Sequence, residues 1–86
     1  MTKNQVILYK AIDEILWNYW DPIGINDCKE ARDEYYSYIP QFYSLKNLGA
    51  SEHEITQILF EIETIRMGLT GNIKNCKAVA KKLVEF

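Results

Sequence analysis

The stretch Gly49-Ala50-Ser51-Glu52-His53-Glu54-Ile55-Thr56-Gln57-Ile58-Leu59-Phe60-Glu61-Ile62-Glu63-Thr64-Ile65-Arg66-Met67-Gly68 spells one helix between two stop signals. Gly49 suits the left-handed conformation that closes a preceding helix. Ser51 with Glu54 forms a capping box, in which hydroxyl and carboxylate satisfy backbone N–H groups that a first turn leaves unpaired. Glu52 places further negative charge near the positive end of the helix dipole. Ile55, Ile58, Leu59, Ile62 and Ile65 then recur in steps of three and four, the spacing of one helix face. The period runs through Arg66 and Met67 to Gly68, a second cap, with Leu69 placed for the hydrophobic contact that accompanies such a cap.

Upstream, residues 3 to 20 read as a helix. Thr2 and Gln5 match a capping box, and Leu8, Ile12, Ile15, Leu16 and Tyr19 share one face that Val6, Tyr9, Trp17 and Trp20 widen. Pro22 disfavours a helical Asp21, so the helix should stop there and residues 21 to 28 should form a loop. Between 29 and 48, the stripe Ala31, Tyr35, Tyr38, Phe42, Leu45, Leu48 passes straight through Pro40. An interior proline costs about 3 kcal/mol, so this segment either kinks or divides. The favoured reading is two short helices sharing one apolar face, the second with Pro40 in its first turn. Downstream, Asn72 can cap a last helix from Ile73 to Glu85, whose narrow stripe is Ile73, Cys76, Val79, Ala80 and Leu83. Lys81 and Lys82 fall where cations complement the dipole. No segment alternates with period two. The expectation is all-α: a single domain over residues 1–86, a compact bundle of four helices, or five if the second segment breaks at Pro40.

Composition narrows the classes of function. The chain has 86 residues, 48% apolar and 26% charged, a globular rather than a disordered mix. Its formal charge of −2 offers no electrostatic footprint for a polyanion. Single-stranded nucleic acid stacks on aromatics beside a positive groove, but here acids flank the rings. Lys74, Lys77, Lys81 and Lys82 instead form the wet face of the last helix. Neither nucleic acid nor membrane is an expected partner, because no window approaches the ~20 apolar residues of a bilayer span. No signal-peptide pattern is present, and Cys28 and Cys76, 48 positions apart, read as free thiols in a cytoplasmic protein.

Candidate chemistry is sparse. Glu30, Asp33 and Glu34 lie three and four residues apart, but a carboxylate di-metal site needs Glu-x-x-His pairs, which are absent. The only histidine, His53, sits between Glu52 and Glu54 in a helix first turn, with no nucleophile or pocket in sight. Cys28, beside Lys29, is the more reactive of the two thiols by position, and Cys76 falls on a buried stripe. Neither phosphate-loop, nucleophile-elbow nor zinc-protease motifs occur. The expectation is a chain with no catalytic residue, cofactor or metal.

The aromatic residues are more telling. Tyr35, Tyr36, Tyr38, Phe42 and Tyr43 crowd nine positions, more than one thin core can take from one helix. Tyr35, Tyr38 and Phe42 fit the inner stripe, so Tyr36 and Tyr43 should project sideways or outward. Such rings either close the edges of the core or serve as binding anchors, a role in which tyrosine is over-represented. With Glu30, Asp33 and Glu34 they define a candidate protein-binding patch suited to a basic partner. A homodimer through the same rings, or a small accessory enzyme using the acids or His53, are the alternatives.

Trp20-Asp21-Pro22-Ile23-Gly24, Asp33-Glu34-Tyr35, Tyr38-Ile39-Pro40, Gly49-Ala50-Ser51 and Glu61-x-Glu63-x-x-x-Met67-Gly68-Leu69 together resemble the YugE-like family of small bacterial proteins of unknown function. The resemblance covers about residues 17 to 70 and implies a short, all-helical, cytoplasmic domain with no established activity. These residues also have physical readings. Trp20 can roof the bundle end, Asp21 can accept from loop N–H groups, and Pro22 and Gly24 can fix the turn. Glu61 and Glu63 fall on different sides of their helix, with Arg66 a natural neighbour for Glu63. In size, charge and surface tyrosines the chain is also similar to bacterial immunity proteins. The expected function is noncovalent protein binding, in its most concrete form neutralisation of a basic toxin domain.

Overall fold

In the computed structural model, which describes residues 1–86, the segments fold as α1 (Lys3–Ile15), α2 (Ile39–Asn47), α3 (Glu52–Glu61) and α4 (Ile73–Glu85), with no strand. Both capping boxes form. Gln5 N–H donates to Thr2 Oγ1 at 3.2 Å while Thr2 N–H donates to Gln5 Oε1 at 2.7 Å. Glu54 N–H donates to Ser51 Oγ at 3.1 Å and Ser51 N–H to Glu54 Oε1 at 3.3 Å. Asn72 caps α4, its Oδ1 accepting from Asn75 N–H at 3.0 Å. The chain is all-α, as its punctuation implies.

Two π-helical turns modify the expected faces. α1 runs on through Leu16–Trp20 and α3 through Ile62–Arg66 in this wider winding, closed by Asp21 N–H on Leu16 O and Met67 N–H on Ile62 O, both at 3.0 Å. A π turn takes in one more residue per hydrogen bond than an α turn and so rotates the side chains beyond it around the axis. Leu16, Trp17 and Trp20 are buried on the expected face, while Tyr19, expected there as well, is 54% exposed. In the second turn Ile62 and Glu63 both point inward and Ile65 swings out to 76% exposure.

The second segment differs from expectation as well. Residues 29 to 38 form no α-helix, only two 3-10 turns, Lys29–Ala31 and Tyr36–Tyr38. The break does fall at Pro40, which sits in the first turn of α2 where a missing N–H leaves nothing unpaired. Its ring would clash with the carbonyl four residues back, Tyr36, so the preceding chain tightens into i→i+3 bonds such as Tyr38 N–H to Tyr35 O at 3.1 Å. The bundle therefore has four α-helices, not five. Leu48, expected on the inner stripe, lies beyond the end of α2 and is exposed.

α3 and α4 make the most extensive helix–helix contact, and α1 packs on both α2 and α4. The shape is a slab of 36 × 31 × 18 Å. Helix axes packed 8–10 Å apart allow about two layers in the short dimension. Fourteen buried apolar side chains form one cluster, with Ile12, Leu16, Leu59, Cys76 and Ala80 fully inaccessible. Trp20 lies among rings: Tyr35 at 5.4 Å, Tyr38 at 5.6 Å edge-on, and Phe42 at 6.4 Å.

The loop between α3 and α4 closes tightly at Gly71, where φ is +88° and an added Cβ would meet Phe60 Cε1 at 2.6 Å and Thr64 Cγ2 at 2.7 Å. Gly24, at φ +67°, faces open space. Urea titration of Gly24→Ala should show a loss of about 1–2 kcal/mol from the left-handed backbone alone. Gly71→Ala adds overpacking and should lose about 2–4 kcal/mol. Equal losses would mean that contact with Phe60 and Thr64 does not dictate glycine there.

Candidate functional site

The segment between α1 and α2 carries the expected site residues and is held to the body at two points. At the first, Tyr35 is 2% exposed, and its hydroxyl donates to Asp21 Oδ1 at 2.8 Å while accepting from Ile23 N–H at 3.4 Å. Burial, and then the hydrogen bond to Asp21, pushes the Tyr35 phenol well above its ordinary value. The Asp21 carboxylate also accepts from Ile25 N–H at 2.8 Å and Asn26 N–H at 3.2 Å, the loop-closing role expected of it. Asp21 itself adopts φ +32°, a left-handed end to the π turn.

Arg32 supplies the second point. Its guanidinium grips Asp13 with both nitrogens, at 2.7 and 3.0 Å, reaches Glu14 at 2.9 Å, and lies 5.0 Å over the Trp17 ring. The hydrogen bond to Asp13 raises the Arg32 pKa still further, so the clamp stays charged. A planar two-nitrogen grip of this kind is geometry that lysine cannot reproduce. No feature of the spacing between Asp13 and Arg32 announces this pair, because a contact between a helix and a distant loop has no period.

Between the two points and α2 the predicted residues separate in role. Glu30, Asp33 and Glu34 are exposed. Glu30 accepts from the Cys28 thiol at 3.4 Å, and its carboxyl is held below the ordinary value by its own backbone N–H first and by that thiol second. Tyr36 is 48% exposed and, with Tyr9, Lys10, Asp13, Ile39 and Pro40, lines a mainly apolar groove of about 280 Å³. Tyr43 is turned sideways and half-buried, its ring 4.8 Å from that of Tyr9. Tyr9 thus links the two, its ring tilted against Tyr43 while it lines the groove with Tyr36. None of the three acids lines the groove; Asp33 is joined to Tyr36 through the backbone, its O accepting from Tyr36 N–H at 3.1 Å.

A second polar centre, not legible as such, lies close to the first, on the other side of Trp20. Glu63 is 2% exposed, and its partner is not Arg66, which is exposed. Oε2 accepts from Trp20 Nε1 at 2.7 Å and from Cys76 Sγ at 3.1 Å, and Oε1 from Asn72 N–H at 2.9 Å. This buried carboxylate borders a polar cleft of about 320 Å³ that also touches Asp21, Thr70 and Asn75. No buried side-chain nitrogen or oxygen lacks a partner, so the charge is satisfied from within the chain. Burial, and then the bond to Glu63, pushes the Cys76 thiol up to about 12. Cys76 and Cys28 are both free thiols, the first buried and the second exposed. His53 is exposed. No group of three or more metal-binding side chains is assembled, and no helix is long and apolar enough to cross a membrane.

No family model matches the chain, and neither a curated protein nor a solved structure shows significant similarity to it.

Two measurements check the Glu63 centre. Glu63→Gln replaces one acceptor by an amide donor that must face Asn72 N–H or the Trp20 and Cys76 donors, so unfolding free energy should fall by about 1–3 kcal/mol. An unchanged urea midpoint would refute this bonding pattern. The thiol supplies a pH dependence. Its folded value lies above the ordinary 9.0, so above pH 9 the unfolded chain gives up a proton that the folded chain keeps, and stability falls. The loss from this group should be about 1 kcal/mol between pH 9 and 10 and continue towards pH 12. Cys76→Ala should flatten that part of the pH profile, with full stabilisation from the neutral thiol present below pH 9 in the wild type.

Proposed function

We propose that the chain is a noncatalytic protein-binding domain whose contact surface comprises the Tyr36 groove and the exposed acids Glu30, Asp33 and Glu34. The observation that carries this reading is the exposure of Tyr36 at the edge of an apolar groove whose walls are fixed by helix α1 and Pro40. A tyrosine side chain has few rotatable bonds to immobilise on binding, and tyrosine is prominent among interface anchors. Tyr19 is equally exposed but differs in kind, because Lys82 Nζ covers its ring at 4.2 Å. Tyr43 contributes by backing Tyr9 rather than as a free anchor. The unpaired acids favour a positively charged partner and speed its approach. Neutralisation of a basic bacterial toxin domain is the concrete form of this reading, supported by the small size, net charge of −2 and surface tyrosine.

The test compares wild-type bait with Tyr36→Ala and Asp33→Lys baits in capture from the source cells, followed by binding kinetics on the protein retained. Tyr36→Ala should weaken binding about tenfold or more, mainly by faster dissociation. Asp33→Lys should slow association several-fold at low salt and reduce its salt dependence. A partner held equally by all three baits would place the interface elsewhere.

A further inference from the structure

The geometry points to an extended, proline-containing segment with a basic flank as the ligand of the Tyr36 groove, an inference that rests on the binding role proposed above. Three observations carry it. The first is length. The α1 wall of the groove spans Tyr9 to Asp13, one helical turn of about 6 Å at 1.5 Å per residue. A docking helix presents anchors at i, i+3, i+4 and i+7, spread over about 10 Å. A polyproline II segment rises about 3.1 Å per residue, so one X-Pro dipeptide matches the wall.

The second is the lining. Tyr9 and Tyr36 give aromatic surface from two different elements, Ile39 and Pro40 give aliphatic surface, and the groove is mainly apolar. Aromatic-walled grooves take polyproline II segments because the flat proline ring packs on the rings while the fully solvated backbone offers carbonyls to tyrosine hydroxyls. Little order has to be imposed on a segment already extended.

The third is charge, which sets direction. Lys10 is the only cation among the lining residues and stands on the α1 wall. Asp33 and Glu34 are exposed and precede Tyr36 by three and two residues, Asp33 O accepting from Tyr36 N–H. Asp13, the acid within the groove, is already occupied by Arg32. An arginine or lysine flanking the X-Pro dipeptide is therefore drawn towards Asp33 and Glu34 and repelled from Lys10.

The test uses the full chain and three synthetic peptides: one with X-Pro dipeptides and flanking arginines, one with its prolines replaced by alanine, and one with its arginines replaced by glutamate. Amide and ring chemical shifts are followed by NMR. The proline–arginine peptide should shift Tyr9, Tyr36 and Ile39 saturably, and its affinity should drop at least tenfold with Tyr36→Ala. Asp33→Lys should cost several-fold at low salt, and the glutamate peptide should bind worst. Tyr36→Phe, which keeps the ring, controls for a fold effect and should retain most of the affinity. No saturable shift with the proline–arginine peptide, or shifts confined to other residues, would overturn the inference. Equal binding of the alanine peptide would also overturn the proline-containing ligand while leaving the groove as a contact surface. The broader binding role fails separately, in the capture comparison.

Discussion

A single buried carboxylate, that of Glu63, ties together the ends of three helices. It receives the indole N–H at the end of the α1 π turn, the backbone N–H of the residue that caps α4, and the thiol one turn inside α4. Moving a carboxylate out of water is costly unless donors replace the lost hydration, and hydrogen bonds to a charged acceptor are the strong ones. Here three donors from two distant parts of the chain converge on two oxygens without any cation. On its helix Glu63 follows the buried Leu59 by four positions and the buried Thr56 by seven, which places it on the inward face. The wider π turn begins at Ile62, and Ile65 within it faces solvent.

The same end of the molecule organises the aromatic core. Trp20 lies four positions after the buried Leu16 and shares its inward face, from which its indole donates to Glu63. Once seated, the indole is the platform on which Tyr35, Tyr38 and Phe42 pack. The loop and 3-10 segment from 21 to 38 has no α-helix of its own to stabilise it, so its order derives from tertiary contacts. Tyr35 anchors it to Trp20 and Asp21, and Arg32 to α1. Those two attachments fix the position of the next residue along, Tyr36.

Legibility in the sequence divides along the range of the interactions. Helix ends were legible because caps are local: Thr2 with Gln5, Ser51 with Glu54 and Asn72 with Asn75 act within three positions. The effect of Pro40 was legible as a break, but not that the chain before it would tighten into 3-10 turns. The stripe residues Tyr19, Leu48 and Ile65 misled because a period of 3.6 residues assumes an α-helix continuing to its last residue. Exposure of Tyr36 followed from crowding of aromatics, whereas the part played by Tyr9 in both tyrosine contacts did not, since nothing local pairs α1 with α2. Glu63 was the largest gap: an acid three positions from an arginine reads as a surface pair, although it lies four positions after the buried Leu59 and seven after the buried Thr56.

These attachments give the candidate surface its physical character. An anchor residue in a long loop would ordinarily lose substantial conformational freedom when a partner fixes it. Here the backbone next to Tyr36 is already constrained on both sides, by the buried Tyr35 and by Pro40 in the first turn of α2. The groove wall opposite is a helix whose Tyr9 is itself supported by Tyr43. The aromatic surplus is therefore not simply left over from core filling. Tyr35, through Asp21 and Ile23, ties down the short segment before α2, and that attachment sets the backbone from which Tyr36 joins Tyr9 in lining the groove.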